Sequence, residues 1–238
     1  MMPPVRDELL VVESVRIASG GLLLEGELAY PEQDSPWAGA VVSGPHPLLG
    51  GTMQNNVVTA LTYGLARRGL ATLRFNYRGI GQSEGPPVDG MSSLAEFWAT
   101  SHVTEELAYQ EDLVSASAFL GEVLGEGTPL ATIGYSFGCS LLPHVAAGTG
   151  PLVLIAPTVG THDYDPFTTL DNPLLLIVSD DDFAANAKQV QQWFDRLRGP
   201  RRLERGRFDN HFFRGHEEWL AETVFAFLKE QGSVSPCL

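Results

Sequence analysis

Apolar and polar residues alternate, then cluster, in a way that predicts the order of elements along the chain. Leu9–Ala18 and Leu22–Tyr30 are two strand-like runs joined by Ser19-Gly20-Gly21, a joint short and glycine-rich enough for an antiparallel hairpin. Ala38–Ser43 is a third, short apolar strand, bounded by Pro36-Trp37 and Gly44-Pro45. Val57, Val58, Leu61 and Leu65 then recur at helical spacing, with Asn55 or Asn56 as the N-cap and Gly69 as the stop. After strand Leu70–Phe75 the pattern alternates. It reads helix Val103–Leu124, strand Leu130–Ile133, a helix after Ser136, and strand Leu152–Ala156. Strand Leu174–Val178, helix Ala187–Arg198, strand Arg202–Glu204 and a helix from His216 to Lys229 complete it.

Strands that alternate with helices imply an α/β fold, a mostly parallel sheet covered on both faces behind the antiparallel N-terminal hairpin. No repeat, low-complexity tract or linker interrupts the chain, so residues 1–238 read as a single domain. Two features cut across the regular pattern. Pro143 falls inside the helix expected after Ser136 and should kink or shorten it. The span Gly85–Thr104 is long for a strand-to-helix loop. It carries Met91, Leu94, Phe97 and Trp98 at helical spacing, which fits either a short helix laid on the core or a lid-like pocket wall, with those four residues binding substrate.

Composition narrows the function classes. A formal net charge of −14 leaves no basic stripe to displace counterions from phosphates, so nucleic acid is not an expected partner. The same charge favours solubility and disfavours anionic membranes. The start, Met-Met-Pro-Pro-Val-Arg-Asp-Glu, lacks the apolar centre of a signal peptide, and no apolar run reaches the length of a membrane span. Cys139 and Cys237 make neither a disulfide framework nor a metal site. A cytoplasmic protein is expected; a homo-oligomer is left open.

The chemistry centres on Gly134-Tyr135-Ser136-Phe137-Gly138, which lies between an apolar strand and a helix. Strand, Gly-x-Ser-x-Gly, helix is the pattern of a nucleophile elbow: the serine stands on a strained turn, and the glycines make room for neighbouring backbone. A serine hydroxyl is a weak nucleophile near neutral pH and needs a base, which an acid must orient. Strand Leu174–Val178 runs into Ser179-Asp180-Asp181-Asp182, and the loop after the last strand presents His211. Both fall at the carboxyl edge of the sheet, where open α/β sheets bind ligands. An acyl-transfer site also needs two N–H donors for the developing oxyanion. Phe137, next after the serine, is one candidate. Pro47 has no N–H, so Leu48 is the candidate from the loop after the third strand, with His46 as the buttress of that loop and counted among the substrate-binding residues. His102, His144, His162 and His216 read as structural.

These pieces together resemble the α/β-hydrolase superfamily, in particular small cap-poor bacterial hydrolases with a His-Pro-His-Pro-like loop. The resemblance is carried by Ser43-Gly44-Pro45-His46-Pro47-Leu48-Leu49-Gly50-Gly51 and by Arg74-Phe75-Asn76-Tyr77-Arg78-Gly79-Ile80-Gly81-Gln82-Ser83-Glu84-Gly85. Gly134–Gly138, Ser179–Asp182 and His211-Phe212-Phe213 follow in the same order. It implies Ser136 as nucleophile, His211 as base and, from a Gly-Asp-x-Asp pattern, Asp182 as acid. Ser179 stands where that pattern has glycine, and Phe183-Ala184-Ala185-Asn186 replaces its usual apolar-proline ending. The implied activity is hydrolysis of an ester or thioester without a cofactor. The leading expectation is a serine hydrolase that acts through an acyl-enzyme on a small to medium, largely apolar acyl compound. An acyltransferase, a peptidase or a carbon–carbon bond hydrolase on the same triad, or a non-catalytic binding relative, are the competing expectations.

Overall fold

The computed structural model describes residues 9–87, 95–96, 99–100, 106–145, 150–180, 182–183, 185–206 and 211–232. Met91, Leu94, Phe97 and Trp98, on which the lid expectation rests, lie outside the described residues. The described strands are β1 (Leu10–Ser19), β2 (Leu22–Pro31), β3 (Ala38–Ser43), β4 (Leu70–Phe75), β5 (Leu130–Tyr135), β6 (Leu152–Ile155), β7 (Leu174–Ser179) and β8 (Arg201–Gly206). They form an eight-stranded sheet in the order β1-β2-β4-β3-β5-β6-β7-β8. β1 pairs antiparallel with β2 and β2 antiparallel with β4, while every pair from β4 to β8 is parallel.

The apolar runs are continuous because the central strands are covered on both faces. β3, β4 and β7 are buried at every position, whereas β8, at the sheet's edge, is largely exposed. Successive side chains go to opposite faces. Val41, Leu154 and Leu176 meet helix α2 (Glu106–Leu124) and α3 (Ala187–Arg196) on one side, through Tyr109, Leu113, Leu120, Val190 and Trp193. Val42, Val153 and Ile177 meet α1 (Asn56–Ala66) and α4 (Glu217–Gly232) on the other, through Leu61, Leu65, Leu220 and Val224. Each such side chain, fully buried, contributes about 1.5–3 kcal/mol.

Local chemistry sets the helix ends. The Asn55 side chain accepts the Val57 N–H at 2.9 Å, and Gly69 (φ +91°) turns the chain into β4. At the α1–α4 contact a Cβ on Gly64 would lie 2.6 Å from the Cβ of Ala221, so glycine is what lets these helices approach. The helix expected after Ser136 is instead a run of 3-10 turns over Ser136–His144, with Pro143 near its end. Pro143 has no N–H for an α-helical bond to the carbonyl four residues back, and its ring would clash with that carbonyl. No described helix is long and apolar enough to cross a membrane.

Candidate active site

Ser136 sits at φ +55°, a left-handed backbone that non-glycine residues rarely adopt. Its glycine neighbours are required by close approach. A Cβ at Gly134 would stand 2.6 Å from the Cys139 Cα, and one at Gly138 would stand 2.5 Å from the Ser43 carbonyl oxygen. β3 and β5 are adjacent, with Ser43 level with Gly134, so the turn is wedged against the end of β3. The strain is held by the surrounding sheet rather than by the pentapeptide itself.

Three side chains from three separate loops converge on that turn. The Ser136 Oγ lies 3.1 Å from His211 Nε2, and His211 Nδ1 lies 2.8 and 2.9 Å from the two oxygens of Asp182. An ionised carboxylate only accepts, so Nδ1 carries the hydrogen and Nε2 is left to accept from the serine hydroxyl. All three groups are largely screened from water: Ser136 is 9% exposed and His211 5%, and the Asp182 side chain 7%. Asp180 is exposed on the same loop, and Asp181 lies outside the described residues.

His211 is fixed from behind. The Tyr135 hydroxyl donates to the His211 carbonyl at 3.1 Å. Burial first, and then the Asp182 charge, raise the Tyr135 phenol, so it stays a donor. The Tyr135, Phe183 and Phe212 rings pack around the imidazole at 5.6, 4.8 and 5.6 Å between centroids.

The oxyanion side differs in part from expectation. Phe137 falls in the first 3-10 turn, where backbone N–H groups lack intrahelical partners. The Leu48 N–H, however, donates to His46 Nδ1 at 3.2 Å, as the cap of the 3-10 turn Pro47–Leu49. It is therefore committed within the loop rather than turned outward.

That bond belongs to a cluster the sequence did not reveal. With Nδ1 accepting, His46 carries its hydrogen on Nε2, which faces Glu106 Oε1 at 3.2 Å. His162 Nε2 faces the same oxygen at 3.4 Å, and its Nδ1 lies 2.9 Å from Thr158 Oγ1. Burial alone would raise the Glu106 carboxyl, but the hydrogen bonds from His162 and His46 outweigh it and hold the group down at about 2. The two imidazoles flank the Phe137 ring at 4.5 and 5.3 Å. The cluster is thus wrapped around the residue that follows the serine. No group of three or more His, Cys, Asp or Glu side chains among the described residues could hold a metal ion.

The Arg74–Gly85 segment supports this edge structurally. Buried Arg74 donates to the Met53 carbonyl at 3.0 Å, to Thr59 Oγ1 at 2.7 Å and to Glu27 Oε1 at 2.9 Å, pinning the loop that leads into α1. Arg78 pairs at 2.6 Å with the fully buried Asp112 of α2. Tyr77 shares a 2.7 Å hydrogen bond with Ser43 beneath the His46 loop.

A strained serine between two crowded glycines, relayed through a histidine to a carboxylate at the edge of this sheet, agrees with the comparison to known proteins. A profile of the alpha/beta hydrolase family matches residues 33–234. The chain is a member of the alpha/beta hydrolase family. Among solved structures, an alpha-beta serine hydrolase homologue from Coxiella burnetii is 27% identical, with a TM-score of 0.74 over 91% of this chain and 97% of its own. A serine hydrolase without a lid from Xanthomonas campestris, 23% identical, shares the fold with a TM-score of 0.77 over 94% of this chain and 97% of its own. An uncharacterised protein of Rickettsia prowazekii is 27% identical over 84% of this chain and 82% of its own length. The chain is accordingly a hydrolase by family, with the sheet and the N-terminal hairpin that the hydrophobic pattern predicts.

Proposed function

We propose that the protein is a serine hydrolase that cleaves an ester or thioester through an acyl-enzyme. The observation that carries this reading is the continuous relay from Ser136 Oγ through His211 to Asp182, at 3.1 and 2.8 Å. In it Ser136 attacks the acyl carbon while His211 Nε2 takes the hydroxyl proton, and Asp182 stabilises the imidazolium that results. The carbonyl electrons move onto oxygen, which the Phe137 N–H receives. When they return, the bond to the leaving oxygen or sulfur breaks, and His211 hands its proton to that atom. Water then repeats the sequence on the acyl-enzyme, with His211 again as base, and releases the acid.

Leu48 can serve as the second oxyanion donor by exchanging its 3.2 Å bond to His46 for one to the substrate oxygen. The exchange conserves the number of bonds and replaces a neutral acceptor by a charged one, which binds an N–H more strongly. The preference for a small to medium, largely apolar acyl group rests on Met91, Leu94, Phe97 and Trp98 and is carried from the sequence. A fluorophosphonate probe tests the reading directly: one covalent adduct, mapped to Ser136, is expected. An unlabelled protein, or a label elsewhere, would count against it.

A further inference from the structure

Two partly exposed aromatic side chains lie beside the imidazole that moves the proton. Phe183 is 75% exposed and Phe212 44% exposed, with ring centroids 5.8 Å apart and planes tilted by 43°. Both pack on His211, at 4.8 and 5.6 Å. They arrive from different loops, Phe183 from the one after β7 and Phe212 from the one after β8. The guanidinium of Arg214 lies 5.7 Å from the Phe212 ring on the same loop. The result is an apolar ledge assembled by the fold, not a run of sequence. On the oxyanion side, by contrast, Phe137 and His46 are only 2% and 3% exposed.

Position decides what the ledge can hold. In the proposed reaction the leaving oxygen or sulfur must come within hydrogen-bond reach of His211 Nε2 to collect its proton. Whatever extends from that atom then meets groups flanking the imidazole, and among the described rings packed on it the exposed ones are Phe183 and Phe212, Tyr135 being buried. Aromatic rings offer an apolar face with a negative quadrupole and a positive edge, which another ring meets in offset or edge-to-face contact. An aliphatic chain gains burial alone there, whereas an aromatic group gains burial and ring contact.

We propose that Phe183 and Phe212 form the leaving-group subsite, and that it takes the aromatic portion of an arylalkyl alcohol or thiol. This rests on the serine-hydrolase reading above and adds the substrate class on the alcohol side.

The test compares 2-phenylethyl butyrate with ethyl butyrate. The acyl group is shared and the two leaving alcohols are of similar acidity, so the ratio of their kcat/KM values reports contact rather than chemistry. The wild-type ratio should favour the phenylethyl ester, and Phe183→Ala should lower it by about fivefold, as should Phe212→Ala. Phe183→Tyr, which keeps the ring, should retain the wild-type ratio. If Phe183→Ala no longer reacts with a small fluorophosphonate, Phe212→Ala carries the same expectation. Turnover with a ratio that neither alanine variant changes would overturn the subsite and leave the hydrolase reading standing. Turnover of neither ester by the wild type, with no fluorophosphonate adduct, would overturn that reading and the subsite with it.

Discussion

His211 presents Nδ1 to both oxygens of Asp182, at 2.8 and 2.9 Å, while Asp180, two residues earlier on the same loop, is exposed to solvent. The relationship separates two carboxylates that chemistry alone leaves equivalent. Asp182→Asn should replace an acceptor by a group that can present an N–H to Nδ1, favouring the tautomer that cannot take the Ser136 proton. A loss of about 10⁴ in kcat is expected, with the fold unchanged. Asp180→Asn should change kcat little. Steady-state hydrolysis of one ester by both variants decides between them, and the reverse ranking would contradict the geometry.

The Glu106 cluster should show itself in the pH dependence of stability. The carboxyl is held at about 2 in the folded protein against an ordinary value of 4.5. A depressed carboxylate stabilises the fold above its unfolded value, and that contribution fades as pH falls from 4.5 towards 2. Glu106→Gln should therefore melt below the wild type at pH 7, and the gap in Tm should narrow in acid. Thermal melts of both proteins at neutral pH and near pH 3 check this. A gap that stays constant would mean the two histidines do not engage the charge.

The elbow glycines make a steric claim. A Cβ at Gly138 meets the backbone oxygens of Ser43 and Gly44 at 2.5 and 2.6 Å, and backbone cannot move aside as a flexible side chain would. Gly138→Ala should cost about 1–3 kcal/mol of stability and displace β3 from the serine turn, with a loss of activity. Denaturant unfolding alongside ester turnover measures both. A variant with unchanged stability would show that the sheet has slack at this point.

Particular residues show where the sequence was readable and where it was not. The centre of the sheet was legible because its strands are largely apolar runs, such as Leu174–Val178, bounded by loops whose residue types carry the chemistry. Ser136, the acid loop and His211 were legible for a related reason: each stands at a strand end, so their order along the chain fixes their edge in space. The 3-10 turns after Ser136 were half legible, since Pro143 signalled an interrupted helix without specifying the turn. The bond from the Leu48 N–H to His46 was hidden because apolar periodicity says nothing of where one loop N–H points. Glu106 was invisible for a longer-range reason. Its partners His46 and His162 lie 60 and 56 residues away in the chain and meet it only when α2 packs beside the ends of the strands. An acidic residue in the first turn of a helix, as at Glu106, is otherwise ordinary, because the helix dipole favours it there.

The central claim is that Ser136 is the nucleophile, and turnover of a p-nitrophenyl ester by Ser136→Ala tests it most directly. The substitution removes one hydroxyl from a residue that is 9% exposed, so the fold should remain and its melting curve should confirm that. Members of a triad act as a unit, so kcat should fall by at least about 10³-fold, with His211→Ala close behind. Wild-type turnover by a folded Ser136→Ala protein would contradict the account.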